Sequence, residues 1–156
     1  MGDAIRKRLL QSKFPSPHVE AGLNVLLVSQ HLREYWDRAF EGLDLTGAQY
    51  NVLRILNGTH PNGYARFEIS RRMIDRAPDM TRMLDRLIDR ALVERYRGGD
   101  DARKSMARIT AKGRALLVKV KPLVAGQMDM IKERLTVAEQ KDLSRLCEKI
   151  YGLDAD

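Results

Sequence analysis

The segment 67–109 constrains the fold more than any other part of the chain. Two short amphipathic runs, Phe67 to Ile74 and Asp79 to Ala91, stand on either side of a tight turn. Two segments of β character, Val93 to Arg97 and Ser105 to Ile109, follow around a glycine-rich turn. Helix, turn, helix and hairpin in this order predict a winged helix-turn-helix, whose second helix normally enters the major groove of DNA.

The run from Asp79 to Ala91 carries two stripes. Its apolar residues form one face, and Arg82, Arg86 and Arg90 repeat every four residues on another, with Thr81 beside them. Arginine can bind O6 and N7 of guanine in a bidentate way, or it can pair with phosphate. A cationic stripe opposite the core face therefore predicts a helix that contacts DNA.

Acidic residues on the same helix allow a second interpretation. Asp85 and Asp89 could form weak ion pairs with Arg82 and Arg86, as on any solvated helix face. Asp79 suits the helix dipole but would repel phosphate, so it either points away or accepts a hydrogen bond from a cytosine amino group. The preceding turn and the following hairpin favour the DNA-contacting interpretation.

The tip of the predicted hairpin is also charged. Arg103 and Lys104 are expected to reach the DNA backbone or the minor groove, because a narrow minor groove attracts arginine. Asp101, two residues before Arg103, could hold that guanidinium by a short-range ion pair. The alternative is a charged hairpin tip without a function. The recognition-like helix that precedes the tip favours the DNA contact.

Long helices are predicted on both sides of this segment. The first covers His18 to Leu43, and its run Val25 to Val28 is apolar nearly all round, which indicates burial on two faces. The second covers Thr110 to about Arg134, where Pro122 and Gly126 should kink or weaken it. Terminal helices this apolar in a small chain predict a homodimer, because a twin would bury the surplus surface.

Two capping boxes mark further helix starts, Thr46 with Gln49 and Thr136 with Glu139. The expected fold is mainly α with a small β-hairpin wing, in which a winged helix-turn-helix is flanked by long dimerisation helices. The predicted divisions are 1–45, an N-terminal arm and dimerisation helix; 46–110, the DNA-binding domain; and 111–156, the C-terminal dimerisation helices.

Charge and composition narrow the function classes. The net charge of +7 and the pI of about 9.8 favour a polyanionic partner. No apolar run is long enough to span a membrane, and the basic N-terminus lacks the apolar core of a signal peptide. We therefore expect a cytoplasmic protein without a membrane partner.

No catalytic or metal site is predicted. His18, His31 and His60 are scattered, without metal-ligand spacing, and we expect no cofactor. Cys147 is the only cysteine, so no intrachain disulfide can form, and its apolar neighbours favour a buried, inert thiol. A small enzyme that uses Cys147 is the less favoured alternative, and we predict that the protein is not an enzyme.

The segment 45–117 resembles the MarR family of bacterial winged-helix regulators. Four motifs carry the resemblance in unbroken order: Leu45-Thr46 with Gln49; Asp79 to Leu87, which contains Thr-Arg-Met-Leu-Asp-Arg-Leu; Leu92 to Arg95; and Asp101-x-Arg103 followed by Ile109-Thr110 and Lys112-Gly113. Ala91 stands where the family usually has glycine, so an ordinary helical or turn backbone is expected there. The N-terminal cysteine through which some members sense oxidants is missing, and that mechanism is not carried over.

The resemblance implies a homodimeric transcription regulator, with a repressor favoured, that binds a pseudo-palindromic duplex site. Thr81, Arg82 and Arg86 would then face the major groove, and Arg103 would enter the minor groove with Asp101 in support. It further implies that a small aromatic or phenolic effector releases the DNA. The alternative function is a winged-helix adaptor that binds proteins and not DNA.

Three aromatic residues are the candidate effector site. Tyr35, Trp36 and Tyr50 are expected where the first long helix meets the DNA-binding domain. Plain packing at that junction is the alternative, because aromatic side chains contribute large buried areas to any core.

Overall fold

A computed structural model of the protein describes residues 2–74, 79–97 and 105–152. The helices are α1 (Asp3–Leu9), α2 (Pro17–Phe40), α3 (Gly47–Gly58), α4 (Arg66–Arg72), α5 (Met80–Asp89), α6 (Ala111–Val124), α7 (Asp129–Arg134) and α8 (Val137–Tyr151). The strands are β1 (Tyr64–Ala65), β2 (Val93–Arg97) and β3 (Ser105–Ile109). The mainly helical fold with a small antiparallel sheet confirms the predicted fold class.

The wing is a three-stranded antiparallel sheet in the order β1-β3-β2. The predicted hairpin is confirmed, since Val93 pairs with Ile109 at one end of the β2–β3 ladder. The strand β1 was not predicted, and it pairs Tyr64 with Ala107 on the other side of β3. Gly63 permits this approach, because a Cβ there would lie 2.0 Å from the carbonyl oxygen of Ala107.

One hydrophobic core joins the helix-turn-helix to the wing and to α6. The residues that combine full burial with the largest side chains come from five elements: Val52, Leu53 and Leu56 of α3, Ile69 of α4, Leu87 of α5, Val93 of β2 and Val120 of α6. Each buried Leu, Ile or Val side chain contributes roughly 1.5–3 kcal/mol relative to an exposed one. This shared core packs the recognition helix α5 against α4 and β2.

Local hydrogen bonds cap the N-termini of two helices as predicted. Thr46 Oγ1 accepts from Gln49 N at 3.2 Å, and Gln49 Oε1 accepts from Thr46 N at 3.0 Å, which completes the first capping box. Thr136 and Glu139 form the second. The predicted weakening of the second long helix is also found, because α6 ends soon after Pro122 and a 3₁₀ turn separates it from α7.

The long helices leave much apolar surface uncovered in the single chain. Leu26 of α2 is 66% exposed, and Ile150 of α8 is 71% exposed. The burial on two faces that we expected for Val25 to Val28 is therefore not present within one chain, where Val25 and Val28 are also exposed. Within the described residues, no helix is both long and apolar enough to cross a bilayer.

The backbone at Ala91 differs from the expectation. Ala91 has φ of 55°, in the left-handed region, so the prediction of an ordinary helical or turn backbone was wrong. The chain must reverse there, because Ala91 N donates to Ile88 O at 2.7 Å and Leu92 N donates to Leu87 O at 2.9 Å. This reversal closes α5 and starts β2, and it uses alanine in a conformation that favours glycine.

Candidate nucleic-acid interface

The recognition helix α5 begins at a side-chain cap. Asp79 precedes it, and Asp79 Oδ1 accepts from Arg82 N at 3.0 Å. The carboxylate is therefore occupied by the first turn, as an N-cap should be. Met80, Leu84 and Leu87 are buried and form the core face of α5. The amphipathic pattern of the sequence thus predicted which face of the helix packs inward.

The opposite face presents arginine to solvent. The side chain of Arg82 is 80% exposed, and its Nε lies 3.7 Å from Asp79 Oδ2. Arg86 is exposed one turn later, and it forms no ion pair or hydrogen bond with the residues that the structure describes. Because exposed ion pairs are weak, both guanidinium groups can be drawn to phosphate or guanine.

The acidic residue between these arginines, Asp85, pairs with an arginine of the wing. Asp85 Oδ1 accepts from Arg95 Nη2 of β2 at 2.6 Å, and not from Arg82, as the alternative of an ordinary solvated face would have it. The reason is spatial, since β2 runs beside α5 and brings a second arginine closer. The pair attaches the wing to the recognition helix and neutralises one carboxylate on its exposed side.

Arg66 also belongs to this surface, although the sequence pattern had not led us to predict it. Its Nη1 donates to Thr81 Oγ1 at 2.7 Å, across the turn between α4 and α5. The Thr81 hydroxyl accepts this bond, so its own proton remains able to donate to a phosphate or a base. A basic residue at the first position of the first helix of the motif was the available signal.

Arg90 departs from the predicted stripe. Its guanidinium donates to the backbone oxygen of Asp44, in the turn between α2 and α3, and its Nη2 lies 3.4 Å from Asp44 Oδ2. The Arg90 side chain is only 30% exposed. The cationic face of α5 therefore consists of Arg82 and Arg86, with Arg66 beside them.

The predicted contacts of the hairpin tip, Asp101, Arg103 and Lys104, lie outside the described residues. The strands that carry the tip are described, and two of their arginines, Arg95 and Arg108, form ion pairs. Arg108 Nε donates to Glu94 Oε1 at 2.6 Å, and its guanidinium lies 4.8 Å from the centre of the Tyr96 ring. The strands are thus stabilised by cross-strand contacts.

Two of the three candidate effector residues come together. The Trp36 and Tyr50 rings lie 6.0 Å apart, and Phe40, which the sequence reading had not included, lies 5.2 Å from Tyr50. Tyr35 is exposed, and the Arg38 guanidinium lies 5.4 Å from its ring centre. The structure therefore places an aromatic cluster, without Tyr35, at the junction of α2 and α3.

A cleft of about 600 Å³ opens beside this cluster. Its walls come from the end of α2, the start of α3 and the last turns of α5, and the lining residues are Phe40, Asp44, Leu45, Thr46, Gln49, Arg86, Asp89 and Arg90. Its size lies in the range of ligand sites, and it combines one aromatic side chain, Phe40, with two arginines.

Other chemistry receives no support from the geometry. No group of three or more His, Cys, Asp and Glu side chains close enough to hold a metal ion occurs among residues 2–74, 79–97 and 105–152. Cys147 is only partly buried within the chain, so the expectation of a buried thiol was wrong for the single chain. The reason is that α8 has no buried residues in one chain.

No protein-family model matches the chain. The HTH-type transcriptional repressor Rv2887 of Mycobacterium tuberculosis is 29% identical over 133 residues, which are 84% of this chain and 94% of that repressor.

Two solved structures share the fold, and the alignment with this chain spans nearly the whole of each. The crystal structure of a MarR transcription factor from Planctomyces limnophilus is 33% identical, covers 87% of this chain and 98% of its own, and superposes with a TM-score of 0.66. A mutant MarR from E. coli complexed with operator DNA is 25% identical, covers 89% of this chain and 99% of its own, and superposes with a TM-score of 0.75.

Proposed function

The chain belongs to the MarR family of winged helix-turn-helix transcription regulators, and we propose that it represses transcription by binding duplex DNA through α5. The observation that carries the proposal is the exposed arginine face of α5, formed by Arg82 and Arg86, on a helix whose other face is fully packed. The net charge of +7 favours the same partner. The similarity to a repressor and to a DNA-bound MarR supports this function.

In this proposal Thr81, Arg82 and Arg86 contact the major groove. Arg103 and Lys104 reach the minor groove or the backbone from the tip of the wing, and Asp101 holds Arg103. Contacts of arginine with guanine would supply sequence preference, whereas contacts with phosphate would supply affinity that depends on salt.

The active form in this proposal is a homodimer. The apolar side chains exposed along α2 and α8 need a partner, and a second copy offers the same self-complementary surface. We assign residues 1–45 and 111–156 to dimerisation and residues 46–110 to DNA binding. Two recognition helices related by a twofold axis would read half-sites about 34 Å apart, and such a site is pseudo-palindromic.

A small aromatic or phenolic effector would act at the cleft beside the aromatic cluster. Phe40 supplies an aromatic surface there, with Trp36 and Tyr50 packed behind it, and Arg86 can attract a carboxylate or phenolate. Because the cleft is bounded by both α2 and α5, an occupant could favour one arrangement of these helices over another. It would release DNA only in proportion to that preference.

The adaptor alternative has lost its main support. The acidic residues Asp79, Asp85 and Asp89 of the recognition helix would favour a protein partner, but Asp79 caps the helix and Asp85 pairs with Arg95. In the described part of α5 and its cap, Asp89 is therefore the one acidic residue without such a contact.

Selection from a pool of random duplex DNA, followed by sequencing, tests the proposal at two salt concentrations. The expected result is a pseudo-palindrome whose affinity falls steeply as salt rises. An Arg86→Ala variant should bind the selected site about 1–3 kcal/mol more weakly and should tolerate base changes in one part of each half-site. A folded wild-type protein that enriches no sequence and binds DNA at neither salt concentration would overturn the proposal.

A further inference from the structure

Arg90 lies where the recognition helix ends and is bonded to a distant part of the chain. It is the C-cap residue of α5, and its guanidinium binds the carbonyl oxygen and the carboxylate of Asp44. Asp44 stands in the turn that joins the long helix α2 to α3. Its φ of 48° belongs to the left-handed region, which aspartate tolerates better than most residues.

The second long helix reaches the same residue from the other side. Lys112, in the first turn of α6, donates from Nζ to the backbone oxygen of Arg90 at 2.9 Å. Thr110, which caps α6, donates from Oγ1 to the backbone oxygen of Ala91 at 2.8 Å. The end of α5 is therefore bonded to the corner after α2 and to the start of α6.

The bond from Arg90 to the Asp44 carbonyl contributes more than the bond to the carboxylate. The Asp44 side chain is 93% exposed, so its ion pair with Arg90 is weak. The Arg90 side chain is 30% exposed, and a guanidinium can donate to two acceptors at once in a fixed plane. Such a link resists rotation and sliding of the end of α5 relative to α2.

We propose that Arg90 is a positioning residue that sets the orientation of the recognition helix relative to the long helices, and thereby determines sequence preference without contacting DNA. The inference rests on the proposed function of α5. In a dimer, a change of orientation at this point would move the two recognition helices away from the spacing of their half-sites, so specific binding would suffer and nonspecific binding would not.

The first test compares Arg90→Gln with Arg86→Gln, one turn earlier on the same helix. Arg90→Gln should bind the selected operator about 5- to 30-fold more weakly, as expected for losing one charge-assisted hydrogen bond and one weak ion pair. Its affinity for random DNA, and the slope of log affinity against log salt, should match wild type. Arg86→Gln should instead lower the salt dependence or relax the preference for particular bases.

Two further variants separate the roles of the Asp44 groups. Asp44→Asn keeps the backbone acceptor and loses only the exposed charge, so its effect should be smaller than that of Arg90→Gln. Arg90→Lys keeps the charge but can bind only one acceptor well, so it should be intermediate. If Arg90→Gln weakened operator and random DNA equally and reduced the salt slope, Arg90 would be a phosphate contact and the inference would be wrong.

The second test needs no DNA. Nitroxide labels are placed on α2 and α5 through His31→Cys and Arg82→Cys in a Cys147→Ser background, and labelled chains are diluted with unlabelled chains. The distribution of distances between the labels should broaden or shift when Arg90→Gln is added, and it should stay unchanged when Arg86→Gln is added.

The two tests distinguish a failure of the proposed function from a failure of the positioning role of Arg90. If wild type enriches no DNA sequence but Arg90→Gln alters the label distances, the proposed function fails and the positioning role stands. If wild type binds a selected operator and Arg90→Gln lowers only the melting temperature, with operator affinity and label distances unchanged, Arg90 is merely structural and the inference fails.

Discussion

Replacing Gly113 by alanine should destabilise the protein although it lies in a helix. Alanine is normally better than glycine in a helix interior by about 1 kcal/mol. Here a Cβ would lie 2.3 Å from the carbonyl oxygen of Leu92 and 2.7 Å from Ile109 Cγ1, both of which belong to the packed wing. Real Cβ atoms do not approach other atoms this closely, so the backbone at Leu92 must move.

The magnitude follows from what that movement breaks. Leu92 O accepts from Thr110 N at 3.1 Å, and a hydrogen bond of this kind contributes about 1 kcal/mol. Overpacking a well-packed site typically costs about 1–3 kcal/mol in addition. Gly113 lies in the first turn of α6, so the gain in helix propensity is at most about 1 kcal/mol, and the net loss should be about 1–4 kcal/mol of unfolding free energy.

Urea denaturation at fixed protein concentration measures this loss, with a lower midpoint at an unchanged m-value as the expected result. Gly58→Ala is the matched control, because Gly58 also lies in a helix but a Cβ there meets no atom within 4 Å. Gly58→Ala should leave the midpoint unchanged or raise it slightly. A Gly113→Ala protein as stable as wild type would refute the close approach of α6 to Leu92.

Three further predictions concern local features of the fold. Ala91→Gly should raise the unfolding free energy by about 0.5–1 kcal/mol in the same urea assay, because glycine adopts the left-handed backbone at that position without steric cost. Hydrogen bonds from the Thr136 side chain and then its backbone lower the pKa of Glu139 below the ordinary 4.5, so the first turn of α8 should be stable above that pH and should loosen as pH falls through the lowered value. Carbon-13 NMR titration of the Glu139 carboxyl checks this, and an unshifted midpoint would contradict it. A double-mutant cycle on Asp85→Asn and Arg95→Gln should give a coupling of only about 0.2–1 kcal/mol, because both side chains are 47% exposed, and a larger coupling would show that the pair is shielded from water.

Local patterns in the sequence predicted most elements of the fold. The strands β2 and β3 were placed at their observed bounds, and Thr46 and Thr136 were identified as caps. These features depend on side-chain alternation and on hydrogen bonds between residues three positions apart, so the sequence alone contains them. The two-residue strand β1 was missed, because its pairing with β3 depends on a segment more than forty residues later.

The candidate site was predictable only in part. The amphipathic pattern identified Arg82 and Arg86, since burial of one helix face exposes the other. It also placed Arg90 on the same stripe, although the structure turns that side chain toward Asp44. Arg66 escaped notice because its partner Thr81 lies fifteen residues away, across the turn of the motif.

The sequence by itself thus determined the helix-turn-helix, the wing strands, the capping residues and the cationic face of α5, because each follows from interactions within a few neighbouring residues. Only the tertiary structure decided which partner each charged side chain contacts and which glycines lie too close to another part of the chain to carry a side chain. Arg90 meets Asp44 across 46 positions, and Gly113 lies against the backbone of Leu92. These contacts depend on which surfaces the shared core brings together, so they cannot be predicted from the spacing of neighbouring residues.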